Sequence, residues 1–184
     1  MNKYKDKTIV VIDFETTGFS PAKGDRVTEV CVLKLLNGKE IERFSSLINC
    51  GVIMPEHITK ITGITQAMVD NAPHVSVIIP KVIDFIGDSI LCGQNVQFDE
   101  SFLIAESKLL GLSPKYKETI CTKRLSQARY VGLKSYSLQP LEDHLGLKRD
   151  GQAHRAESDV LLTVKLLNKL LEVKESNALE ELFN

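Results

Sequence analysis

Asp13 and Glu15 stand one residue apart, just after the apolar run Ile9-Val10-Val11-Ile12. In a β-strand, residues i and i+2 point to the same face. Two carboxylates side by side repel each other unless a cation sits between them. A third acid, Asp99, ends the segment Asn95-Val96-Gln97-Phe98-Asp99 and falls in the first turn of an expected helix, where the helix dipole favours negative charge. A fourth, Asp159, closes His154-Arg155-Ala156-Glu157-Ser158-Asp159. Five residues of ideal helix sweep about 500°, so His154 and Asp159 would not share a helix face. They converge if His154 lies in the loop before the helix and Asp159 lies inside it. Asp159 then sits at the edge of an apolar stripe, and an acid in that place needs a partner, because unpaired buried charge is expensive.

Each segment alone has an ordinary reading: a strand running into a solvated turn, an acid at a helix start, a histidine in a surface loop. Together they supply four acids and one histidine with no thiolate. That donor set suits a hard cation, magnesium or manganese, rather than zinc. Several carboxylates around one spot suit two ions roughly 3.5–4 Å apart, which stabilise the attacking and leaving oxygens of a phosphoryl displacement. A neutral histidine beside them has a pKa suited to taking a proton from water.

The elements that must carry these residues are legible in outline. Residues 8–14 read as a central strand, since four consecutive apolar residues suggest burial on both faces. Residues 26–36 and 39–49 read as two further β-runs joined by Asn37-Gly38, a strong hairpin signal because both turn positions need positive φ. Residues 50–75 read as loop with short helices, one capped by Thr65. Residues 75–86 read as a helix in which Pro80 is awkward outside the first turn. A short strand at 89–93 precedes an amphipathic helix over 97–110, with Phe98, Phe102, Ala105 and Leu109 on one stripe. A strand over 118–122, a basic helix to about 130 and a helix from Ser137 to Leu145 follow. The final helix starts near 153, with Ala156, Val160, Val164, Leu167 and Leu171 on one side. Early strands followed by alternating helices and strands indicate an α/β fold with a mixed sheet.

Length and composition fit this outline. The chain has 184 residues, 43% hydrophobic and 26% charged, which suits one domain over 1–184 and argues against disorder. No apolar run approaches the roughly 20 residues that span a bilayer, so no membrane partner is expected. Cys31, Cys50, Cys92 and Cys121 lie far apart without a C-x-x-C pair, which suits reduced thiols and a cytoplasmic location. The net charge of -1 conceals a partition. Residues 108–155 carry ten Lys/Arg against four acids, a balance of +6, and leave -7 for the remainder. A basic third beside a carboxylate cluster suits a protein that gathers a polyanion, although a solvated, unevenly charged surface gives the same totals.

The three segments, Val11 to Gly18, Asn95 to Asp99 and His154 to Asp159, resemble the DEDD 3'-5' exonuclease superfamily in its histidine (DEDDh, DnaQ-like) branch. That branch includes the epsilon proofreading subunit of bacterial DNA polymerase III, ribonuclease T and oligoribonuclease. The resemblance covers about residues 8–170. His154 five residues before Asp159 matches the histidine branch, whereas the tyrosine branch would place Tyr where Arg155 stands. The resemblance implies a ribonuclease H-like fold: an antiparallel three-strand meander extended by parallel strands and flanked by helices. It implies that Asp13, Glu15, Asp99 and Asp159 hold two metal ions and that His154 is the general base. The implied activity releases nucleoside monophosphates from a 3' end of single-stranded or frayed DNA, with a DNA polymerase subunit as a possible partner. It further implies that Phe14, Thr16 and Thr17 line the terminal nucleotide's pocket, partly through backbone groups. Ile61 or Ile64, within Ile61-Thr62-Gly63-Ile64-Thr65, would wedge against the last bases, and Asn95 would hold the backbone.

Two departures from the family stand out. Gln94-Asn95 replaces the His-Asn found before the third acid in many relatives, which should alter substrate contacts and not the metal site. After the last helix only Glu175 to Asn184 remains, so a stand-alone nuclease or an excised domain is expected. An exoribonuclease of the ribonuclease T or oligoribonuclease type is the alternative. An inactive nucleic-acid-binding module is a further one, against which all five catalytic positions are filled.

Overall fold

The computed structural model describes residues 3–171. A five-stranded sheet has the order β3-β2-β1-β4-β5. Strands β1 (Thr8–Thr16), β2 (Val27–Leu36) and β3 (Lys39–Leu47) form an antiparallel meander. Strands β4 (Ile90–Gly93) and β5 (Thr119–Cys121) extend it on the other side, parallel to β1 and to each other. The β2–β3 turn is Asn37-Gly38, with φ of 52° and 75°, the left-handed pair expected of that dipeptide.

Strand β1 is buried on both faces, and its alternation sorts the molecule into two cores. Val10, Ile12 and Phe14 pack with Ile78, Ile79 and Val82 of helix α3 (Val75–Ile86) and with Phe102 and Leu103 of helix α4 (Gln97–Leu109). Ile9 and Val11 pack on the opposite face with Val160, Leu166, Leu167 and Leu170 of helix α7 (Ala156–Leu171). Helices α5 (Thr122–Arg129) and α6 (Leu138–Leu145) add Leu125 and Leu141 to that second core. The short helices α1 (Glu56–Thr62) and α2 (Gln66–Asp70) close a smaller cluster around Met54, Ile58, Ile64 and Val69.

Most expected elements are present within a residue or two. The third β-run is shorter than expected and stops at Leu47; Asn49 instead makes an isolated bridge to His74. Pro80 lies inside α3, beyond its first turn. It lacks the N–H that would reach the carbonyl of Ser76, and Ser76 is exposed, so water can serve that carbonyl. The last helix begins at Ala156 and not near 153, because His154 has φ 58° and cannot continue a right-handed helix. The expected tail segment Glu175 to Asn184 lies outside the described residues. No described helix is long and apolar enough to cross a membrane.

Candidate metal centre and active site

Asp13 and Glu15 continue the face of β1 that begins with Ile9 and Val11, and α7 covers that face. Asp159 lies in the first turn of α7 and is buried. Ligand oxygens of Asp13, Glu15 and Asp159 all lie within 4.8 Å of one another. The strand period and the helix placement therefore bring together residues 144 or more positions apart in sequence. Asp99 comes from the other layer. It is buried in the first turn of α4, and its Oδ1 accepts the Phe14 backbone N–H at 2.9 Å.

The electrostatics of this cluster are those of a site that wants a cation. Burial pushes the Asp13 carboxyl well above its ordinary value, and the charges of Asp99, Glu15 and Glu29 push it further; Arg149 opposes them. Glu15 is raised to about 7 by burial and then by Glu29 and Asp99, with Arg155 pulling the other way. Asp99 is raised to about 7 by burial, partly offset by its bond from Phe14. Hard oxygen donors that resist ionising beside one another fit a divalent ion, whose charge would remove the penalty.

His154 occupies the loop before α7 and is exposed. Its backbone N–H donates to Asp159 Oδ2 at 3.2 Å. The convergence of these two residues thus depends on the left-handed φ of His154. Asn95 is also left-handed, at φ 68°, and exposed. Its carbonyl accepts the N–H of Phe98 at 2.9 Å and so opens α4.

The neighbouring residues are less uniform. Thr16 and Thr17 are buried, and each hydroxyl makes one bond within the turn after β1. Thr16 Oγ1 donates to the Gly18 carbonyl at 2.6 Å, and Thr17 Oγ1 accepts the Arg26 N–H at 2.9 Å. The Thr17 O–H is left over by that bond, whereas the Thr17 backbone N–H is itself given to the Arg26 carbonyl at 2.8 Å. Ile61 is 47% exposed. Ile64 has no exposed surface and packs in the Met54–Ile58–Val69 cluster, which corrects the expectation that it reaches a substrate. The Phe14 side chain is likewise a core residue at 4% exposure, so a nucleotide pocket cannot be lined by its ring.

Three charged residues went unassigned in the sequence. Arg149 joins Asp159 to Glu142, through an Asp159 contact and an Nε–Oε2 distance of 3.2 Å to Glu142. Its partners lie 7 and 10 positions away across the loop between α6 and α7, where no regular helix or strand period marks the pairing. Glu29 and Arg155 form a second pair, with Nη2–Oε1 at 2.6 Å. Glu29 did carry a signal: it is a lone acid in the buried run Val27-Thr28-Glu29-Val30-Cys31-Val32. Gln94, the departure from the family, donates to the Tyr136 carbonyl at 2.8 Å and accepts from Thr122 Oγ1 at 2.5 Å. It ties the loop before α4 to α5 and the segment that follows.

The family model described as "Exonuclease" (RNase_T) matches residues 10–167, most of the chain and every residue of the cluster. The chain belongs to this exonuclease family. It is 35% identical over 167 residues to the DNA polymerase III subunit epsilon of Aquifex aeolicus (strain VF5), covering 91% of this chain and 82% of that protein. It is 34% identical over 172 residues to the 3'-5' exonuclease DinG of Bacillus subtilis (strain 168), covering 94% of this chain but 18% of that one. The structure of exonuclease X in complex with 5' overhanging duplex DNA superposes with a TM-score of 0.74 at 24% identity, covering 92% of this exonuclease chain and 95% of the other. That likeness identifies the fold as the ribonuclease H-like one of exonucleases. Members of this family use divalent metal ions, and the acidic cluster of this exonuclease has the donors to bind them.

Proposed function

We propose that this exonuclease domain, spanning 1–184, removes nucleoside monophosphates one at a time from the 3' end of single-stranded or frayed DNA. The observation that carries the reading is the convergence of Asp13, Glu15 and Asp159 oxygens within 4.8 Å. Asp13, Glu15, Asp99 and Asp159 hold two divalent ions, magnesium or manganese. When bound, the ions neutralise charge building on the phosphate and acidify a water. His154 takes the proton from the attacking water as general base. Asp159 steadies the loop that carries it through the His154 N–H. Phe14, Thr16 and Thr17 line the terminal nucleotide's pocket, partly through backbone groups, Ile61 meets the last base, and Asn95 holds the sugar-phosphate backbone.

Likeness to the Aquifex aeolicus epsilon subunit supports DNA as substrate and a DNA polymerase subunit as partner. Buried, unpaired Cys31, Cys50, Cys92 and Cys121 are in keeping with work in the cytoplasm. The test is digestion of 5'-labelled single-stranded DNA, single-stranded RNA and a mismatched duplex, side by side. The expected result is a ladder shortening from the 3' end of DNA, stopped by EDTA and restored by magnesium or manganese. Faster digestion of RNA would move the assignment to an exoribonuclease. No release of monophosphate from any substrate would overturn it.

A further inference from the structure

Glu29 is an acid at 4% exposure that the proposed reaction does not use. It lies directly across from Glu15 in the β1–β2 ladder. Its Oε1 accepts from Arg155 Nε at 3.2 Å and Nη2 at 2.6 Å, and its Oε2 accepts from Arg155 Nε at 3.1 Å and the Ala156 backbone N–H at 3.0 Å. One carboxylate thus satisfies a free N–H at the start of α7 and grips the residue next to His154. On its other side, His154 gives its own N–H to Asp159 Oδ2 at 3.2 Å. The left-handed turn at residue 154 is therefore anchored at both ends by carboxylates. The same grip keeps Glu29 engaged with a guanidinium, so a fifth acid beside Glu15 does not compete for a cation.

We propose that Glu29 and Arg155 form a clamp that positions His154 for proton transfer, touching neither substrate nor metal. This inference rests on the nuclease reading with His154 as base. Both residues are positioning residues; their charges also reach Glu15, so the part of their effect that tests the clamp is the part that passes through the imidazole.

The experiment is a double-mutant cycle on the full chain with Glu29→Gln, His154→Ala and the pair. It measures kcat and KM on single-stranded DNA, calorimetric manganese binding and thermal melting. Glu29→Gln is expected to lower kcat about 10- to 100-fold, the range for groups that orient a functional side chain, with KM and manganese affinity within about threefold of wild type. The pair is expected to be no slower than His154→Ala within about twofold, because a residue that acts only through His154 has nothing left to position. Losses that multiply, or manganese binding that weakens as much as turnover, would overturn the clamp. If Glu29→Gln melts below the assay temperature, Arg155→Lys carries the same cycle under the same criteria, since it keeps the charge and loses the planar fork. A wild-type rate for His154→Ala would instead overturn the base assignment itself, and the clamp with it.

Discussion

Asp99 Oδ1 accepts the backbone N–H of Phe14 at 2.9 Å. The bond falls between Asp13 and Glu15 in sequence, so the strand that carries two acids is stitched to the helix that carries a third. Asp99 is oriented before any ion arrives. Pre-set ligands lose little freedom on binding, which is what a precise metal centre requires.

Replacing Asp13 or Asp159 with Ala should cut nuclease turnover about a thousandfold or more, because on the proposed reading each removes a metal ligand needed in the transition state. The fold should survive. Without metal, Asp13→Ala should melt no lower than wild type, since it relieves repulsion from Asp99, Glu15 and Glu29. In Asp159→Ala, Arg149 keeps its partner Glu142. End-labelled digestion and thermal melting in EDTA check both parts. Near wild-type turnover in either variant would contradict the site.

His154→Ala should lose about 10²–10⁴-fold in kcat, the usual worth of a positioned general base. Its bond to Asp159 is made by the backbone and survives the substitution. Calorimetric manganese affinity should therefore stay close to wild type. A large loss of affinity would make His154 a ligand and not a base.

Metal-free stability should fall as pH rises. Glu15 and Asp99 titrate near 7 in the folded chain, above the value of about 4 for unfolded carboxylates. Between those values the native state holds more protons than the unfolded state, so unfolding free energy has a negative slope with pH. The contribution is complete below about pH 4 and is lost on passing through pH 7. Urea titrations in EDTA at pH 5 and pH 8 should show the higher midpoint at pH 5. Saturating manganese should remove or reverse the difference, because it binds the ionised form. A higher midpoint at pH 8 in EDTA would refute this.

Ile61 and Ile64 should separate cleanly. Ile64→Ala should cost about 2–5 kcal/mol of stability, as for a fully buried isoleucine. Ile61→Ser should leave the urea midpoint nearly unchanged and raise KM for single-stranded DNA about threefold or more, the loss of one apolar base contact. An unchanged KM would remove Ile61 from the substrate path.

The elements that were legible carry strong local periodicity. Strand β1, the Asn37-Gly38 turn and the α7 stripe are set by spacing over a few residues, whereas the meeting of Asp13 and Glu15 with Asp159, 144 or more positions away, was implied by the family resemblance. What was not legible depends on how segments pack, at short separations for Arg149 and long ones for Glu29. Arg149 meets Asp159 only after α6 and α7 pack, and Glu29 meets Arg155 across 126 positions. Ile61 and Ile64 are not separable from sequence, because an isoleucine near Gly63 looks the same whether it points inward or outward. The start of α7 reads early from sequence, because nothing in Gln152-Ala153-His154 announces a left-handed residue.

The two carboxylates of β1 ride on the same face as Ile9 and Val11, opposite Val10 and Ile12. Hydrolysis and folding are consequently written in a single reading frame. Dropping one residue between Thr8 and Asp13 would turn Asp13 and Glu15 towards α3 and α4 while exchanging the apolar contacts of the strand. The apolar run would still find apolar partners on either side, but two carboxylates would enter the core against α3 and α4, so packing and chemistry would fail together.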